Sequence, residues 1–120
     1  MPTKLNFARD VQGYNAEAPP FSTNTYSATL AAGTASSITI PGDVPVWYMT
    51  VKVQPTGWVW ISRTAAASVP AGGTFAANSA EMAPGTLEFR RTVYMGDVIS
   101  FLSPNTTADV EVSLFAVGYS

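Results

Sequence analysis

VWYMTVKVQPTGWVWIS, residues 46–62, contains every tryptophan of the chain: Trp47, Trp58 and Trp60. Successive side chains of a strand point to opposite faces, so the stretch is read in twos. Trp47, Met49, Val51 and Val53 then form an apolar face, and Val46, Tyr48, Thr50 and Lys52 a mixed one. Gln54-Pro55-Thr56-Gly57 follows. Proline presets φ and glycine admits positive φ, so these four residues form a turn. Trp58-Val59-Trp60-Ile61 is aromatic and β-branched, which favours a strand. The expected element is a β-hairpin at the centre of a sheet. Val59 and Ile61 face its core; Tyr48, Trp58 and Trp60 form a candidate exposed aromatic face on the other side.

Working outward, the same alternation recurs. Residues 26–32 and 35–40 read as short strands separated by a turn at Gly33-Thr34 and closed by Pro41-Gly42-Asp43. Residues 86–94 read as a strand in which Leu87, Phe89 and Val93 share a face with Arg91. An arginine in that register either sits at the rim of a sheet, where it deters edge pairing, or is paired with a carboxylate. Residues 98–103 and 109–119 read as the last two strands, after turns at Met95-Gly96-Asp97 and at Pro104-Asn105-Thr106-Thr107. Residues 64–85, made of alanine, small polar residues, glycine and proline, read as a loop crossing between sheets, with a short strand at 74–77. Such a loop is too apolar for a solvated linker and is expected to pack on another chain.

Seven to eight short strands spaced by about ten residues, with no competing amphipathic helix, predict an all-β fold. The expected architecture is a single jelly-roll-like β-sandwich spanning residues 26–120. Its core would hold Trp47, Met49, Val51, Val59, Ile61, Phe89, Ile99, Phe101, Val110, Val112 and Leu114.

Residues 1–25 keep no strand or helix period, and Pro19-Pro20 blocks both. They nevertheless carry Leu5, Phe7, Val11, Tyr14 and Phe21, many apolar side chains for a tail that stays in water. The segment is expected to be an extended arm that binds a partner through those five residues. Ordering its backbone costs about 1–2 kcal/mol per residue, more than five buried side chains return, so the arm is expected to be mobile in the isolated protein and to order only in an assembly, by β-addition to another chain's edge or in an inter-subunit groove.

Composition narrows the function. The 120 residues are 47% hydrophobic but only 12% charged, with net charge −2. Average domains have about twice that charged fraction. A surface so poor in charge suits a protein packed among others. With no basic run, neither nucleic acid nor an anionic membrane is an expected partner. The chain has no cysteine and no histidine, which removes thiolate chemistry and the commonest general base and metal ligand. The N-terminus lacks the apolar core of a signal peptide, so synthesis without a cleaved leader is expected.

Asp109 and Glu111 share one strand face, as a carboxylate pair for glycoside hydrolysis would, but alternating polar residues equally describe a solvated face. Asp43, Asp97 and Asp109 would make an oxygen-ligand site if their loops converged, although no calcium-loop spacing is present. Serines lack an activating partner. No catalytic residue, metal or cofactor is therefore expected, and the chain reads as a non-enzyme.

VWISRTAAASVPAGGTF (59–75) and SAEMAPGTLEFRRTVYMGDVISFLSPNTTADVEVSLFAVGY (79–119) resemble small structural proteins of tailed-phage virions. In those proteins a Trp-bearing strand leads to an A-x-VPAGG-T-F loop, then to GD-x-IS and ADV-x-V strands. The matching residues here are 67–75, 96–100 and 108–112. The resemblance implies a capsid cement or decoration protein that bridges the major capsid protein on the outside of the shell. It also implies contact with copies of itself in a homotrimer, and a virion location after synthesis in the host cytoplasm. The rival reading is a glycan- or host-binding module of a tail tip or head fibre, using exposed aromatics.

Overall fold

A computed structural model describes residues 2–8, 11–12, 19–55, 57–63 and 65–117. It contains eight strands: β1 (Asn24–Leu30), β2 (Ser36–Thr39), β3 (Val46–Val53), β4 (Trp58–Arg63), β5 (Glu81–Pro84), β6 (Phe89–Tyr94), β7 (Val98–Leu102) and β8 (Ala108–Ala116). No helix occurs among the described residues. The strands form two four-stranded sheets, ordered β1-β8-β3-β6 and β2-β7-β4-β5. The antiparallel pairs nest: β4 with β5, β3 with β6, β2 with β7, β1 with β8. The chain is thus one long antiparallel ribbon, folded at its middle and rolled up. Pairing of β3 and of β4 with β8 and β7 closes the roll. This is the jelly-roll sandwich that the alternation predicts.

Alternation places the core. Trp47, Met49, Val51 and Val53 point inward from the first sheet, with Val110, Val112 and Leu114 beside them. Val59, Ile61, Ile99 and Phe101 point inward from the second. All eleven expected core residues are buried. Trp47 is fully buried and its indole Nε1 donates to the Pro41 carbonyl at 3.1 Å, so the largest core side chain leaves no polar group unmatched. Leu30, Ile40 and Ala83 complete the cluster.

The expected central hairpin is not formed. β3 and β4 are central strands of different sheets, and residues 54–57 carry the chain across the sandwich. The crossing is pinned at both ends: Gln54 N donates to Asp109 O (3.1 Å), and Gly85 N to Gly57 O (3.0 Å). Gly85 is packed so closely here that a Cβ would lie 2.1 Å from the Gln54 carbonyl oxygen. A proline–glycine turn serves a hairpin and a crossover alike, and the apolar positions of β3 and β4 face one core in either case. Only the partner strands, more than twenty residues away in the chain, decide between them.

The connection from β4 to β5 also departs from expectation. It returns to the same sheet, where β4 and β5 pair from Trp58↔Pro84 to Ile61↔Glu81. There is no strand at residues 74–77; the strand lies at Glu81–Pro84. Leu87 precedes β6 and is 71% exposed, so it does not share the buried face of Phe89 and Val93.

Candidate partner-binding surface

β1 pairs with β8 only as far as Asn24↔Leu114, while β3 continues along the other side of β8 to Trp47↔Ala116. The last turn of β8 is therefore left with an open edge, and the N-terminal segment fills it. Lys4 forms a parallel bridge with Ala116; Leu5 N donates to Ala116 O (3.0 Å) and Ala116 N to Thr3 O (2.7 Å). The other end of the segment is tied nearby, with Ser22 Oγ donating to Leu114 O at 2.5 Å and Thr23 N to Thr3 Oγ1 at 3.0 Å. Over residues 3–5 the arm thus adds to its own sheet, not to another chain's edge as expected, because β1 stops short and leaves β8 an open edge within the same chain.

Beyond that graft the arm borders a cavity of about 730 Å³ on the outer face of the first sheet. Leu5, Phe7 and Phe21 reach it from the arm, and Tyr48 and Phe115 from the sheet, their rings 6.4 Å apart. Four of the predicted contact residues are thereby brought together. The others are not. Val11 is fully exposed and lies outside the cavity, and Tyr14 lies outside the described residues. Trp58 and Trp60 stand on the outer face of the opposite sheet, packed edge to face at 5.7 Å. The expected single aromatic face is split because β3 and β4 belong to different sheets.

Charges surround the cavity. Glu88 lies between Arg90 (3.1 Å) and Lys52 (3.9 Å), and Glu111 accepts a hydrogen bond from Ser113 Oγ at 2.5 Å. The Arg90 guanidinium is held above its ordinary range by the neighbouring Tyr48 oxygen first and then by Glu88. Each carboxylate here already has a partner. The arrangement can bind a polar or aromatic group through hydrogen bonds and ring contact.

The three aspartates weighed as ligands do not converge. Asp43 and Asp97 sit at the arm end of the sandwich and Asp109 at the far end, because β7 and β8 run in opposite directions from a shared far-end loop. Asp97 is engaged by Arg63 Nε (2.9 Å) and by Tyr94 N (2.9 Å), and Asp109 by Thr29 Oγ1 (2.7 Å).

The register also shows what single-strand reading missed. Arg91 and Glu81 both take inward positions, on the edge strands β6 and β5, and are bonded to each other across one side of the sandwich. Arg91 also lies 4.1 Å over the Phe89 ring. Both readings of Arg91 hold at once: it is at the rim and it is paired. The bond with Arg91 holds the Glu81 carboxyl below its usual range and raises Arg91.

The two ends of the sandwich differ. The connections 40–45, 64–80 and 95–97 lie at the arm end, and 31–35, 54–57, 85–88 and 103–107 at the other. Tyr94, Met95 and Val98 are exposed at the arm end, and Val69 and Phe75 in the long connection that leaves and re-enters it. Leu87 is the one large exposed apolar side chain of the far-end loops among the described residues. The chain matches no family model, no curated protein and no solved structure.

Proposed function

We propose that this protein is a non-enzymatic structural component of a tailed-phage particle, a cement protein that binds the outside of the shell and bridges major capsid subunits. One observation carries the reading: large apolar side chains are left in water at one end of a molecule poor in charge. Phe75 is fully exposed, and Val69, Met95 and Val98 accompany it. Apolar surface concentrated this way marks a protein contact. Neighbouring copies and the capsid subunit are the proposed partners. Clamping them adds binding free energy to the assembled shell by mass action.

The test is copy number. Quantitative mass spectrometry of purified source particles should find on the order of hundreds of copies, at a fixed ratio to the shell subunit. A few copies per particle, or none, rejects the cement role.

The cavity of Tyr48, Phe115 and Arg90 favours one alternative, a glycan-binding module of a tail tip or head fibre. Titration with host saccharides should then quench at that site, and Tyr48→Ala should abolish binding.

A further inference from the structure

The two open sides of the sandwich are treated differently by the sequence. On one side, β5 and β6 are guarded by Glu81, Arg90 and Arg91, by the bond between Glu81 and Arg91, and by Pro84, which has no N–H to offer. These are the devices that keep sheet edges from pairing with other chains. On the other side, β1 is terminal in its sheet and carries none of them. Its seven residues, NTYSATL, include no charged residue and no proline, and they keep an unbroken register with β8, so no bulge twists the edge away. Between β1 and β2 the core is reached through a groove of about 430 Å³, lined by Tyr26, Ala28, Leu30, Ile38, Phe101 and Val110.

We infer that β1 is the site of a two-fold contact between copies of this chain, in which two β1 strands pair antiparallel and the first sheets join into one. The occupant follows from the strand's own pattern. A two-fold axis through Ser27 sets Thr25 opposite Thr29, Tyr26 opposite Ala28, and Asn24 opposite Leu30 of the second copy. Threonines then meet on the outer face, a favourable cross-strand pair. On the inner face each large ring meets a methyl, and both stand over the apolar groove. A two-fold axis also brings like charges together, so an isologous strand contact requires a neutral strand. β1 is neutral; β6 is not. The inference uses a different surface from the cement reading and does not rest on it.

Sedimentation equilibrium of the full chain over about 1–500 μM should show a monomer–dimer equilibrium. Ser27→Lys sets two charges face to face and should raise the dissociation constant on the order of tenfold or more, with the circular dichroism spectrum unchanged. The chain has no cysteine, so a second variant reads the register directly. Opposed residues of an antiparallel pair have Cα atoms about 4.5–5.5 Å apart, within disulfide range. Ser27→Cys should oxidise to a covalent dimer much faster than Asn105→Cys, placed in an exposed far-end loop. A monomer throughout the range overturns the inference. So does a trimer, a dimer indifferent to S27K, or cross-linking of S27C no faster than that of N105C. A chain that dimerises only after residues 1–20 are removed also overturns it, since the edge is then held by the chain's own arm.

Discussion

Glu81 and Arg91 show how the same inward position can carry opposite chemistry. In a central strand it must be apolar, as at Ile61 and Met49, their direct neighbours across the ladders. In an edge strand it reaches the rim, where the carboxylate and guanidinium meet in partial contact with water. Their side chains are 56% and 48% exposed, so solvent screens the pair and its contribution is about 0.2–1 kcal/mol. Its sign with pH is definite. The folded carboxyl titrates below the unfolded one, so the stabilisation is complete above the ordinary carboxylate range and disappears as pH falls through the lowered value. The melting temperature of the wild type should exceed that of Glu81→Gln by a small margin near pH 7, and the gap should close in acid, at about pH 2. A gap that widens on acidification contradicts the pairing. Deeper in the core the scale changes. Phe101 is 4% exposed, and Phe101→Ala should cost about 3–5 kcal/mol, lowering the melting temperature by about 10 °C or more. A variant that melts with the wild type shows that this face is not the core.

At the level of elements, the strands and their inward faces were legible because alternation is local. Trp47 to Val53 and Val110 to Leu114 declare their faces within a few residues. Pairing was not legible. Residues 54–57 turn the chain whether it stays in one sheet or crosses, and what holds them is Asp109 and Gly85, far away in sequence. The aromatics depend on the same long-range pairing: Tyr48 and Trp60 would share a face only if β3 and β4 shared a sheet. EMAP does not declare itself as a strand, because its proline is tolerated only at an edge, and β5 is an edge strand. Of the candidate site, the arm's apolar residues were visible in the sequence, but pairing was expected with another chain; the graft onto the chain's own Ala116 depends on where β1 stops. Removing residues 1–20 deletes two backbone hydrogen bonds to Ala116, each contributing about 0.5–1.5 kcal/mol. The truncated protein should keep its circular dichroism spectrum and melt only a few degrees lower, while binding to shells stripped of it should weaken. Unchanged decoration by the truncated protein would exclude the arm as an anchor.

For the molecule as a whole, the distribution of polarity matters more than any single contact. One end carries the exposed apolar side chains and the long connection, with its Arg63 and Asp97 already paired to each other; the other has short loops. Attachment through the apolar end should respond weakly to ionic strength, because little of it is Coulombic. Particles or shells carrying the protein should retain it when NaCl is raised to about 0.5 M; release at that concentration would point to a polar interface instead. The nesting of the strands has a consequence in time as well. β8, the last of the eight described strands in chain order, lies between β1 and β3 and also receives the graft from residues 3–5. Until it emerges, β1 has no partner in its sheet, and the core residues Met49 and Val51 lack the neighbours that bury them. A nascent chain therefore cannot close from its N-terminus onward as a helical hairpin can. Closure of the sandwich must wait for β8, and until it emerges each nascent copy holds an open, unguarded β1 edge.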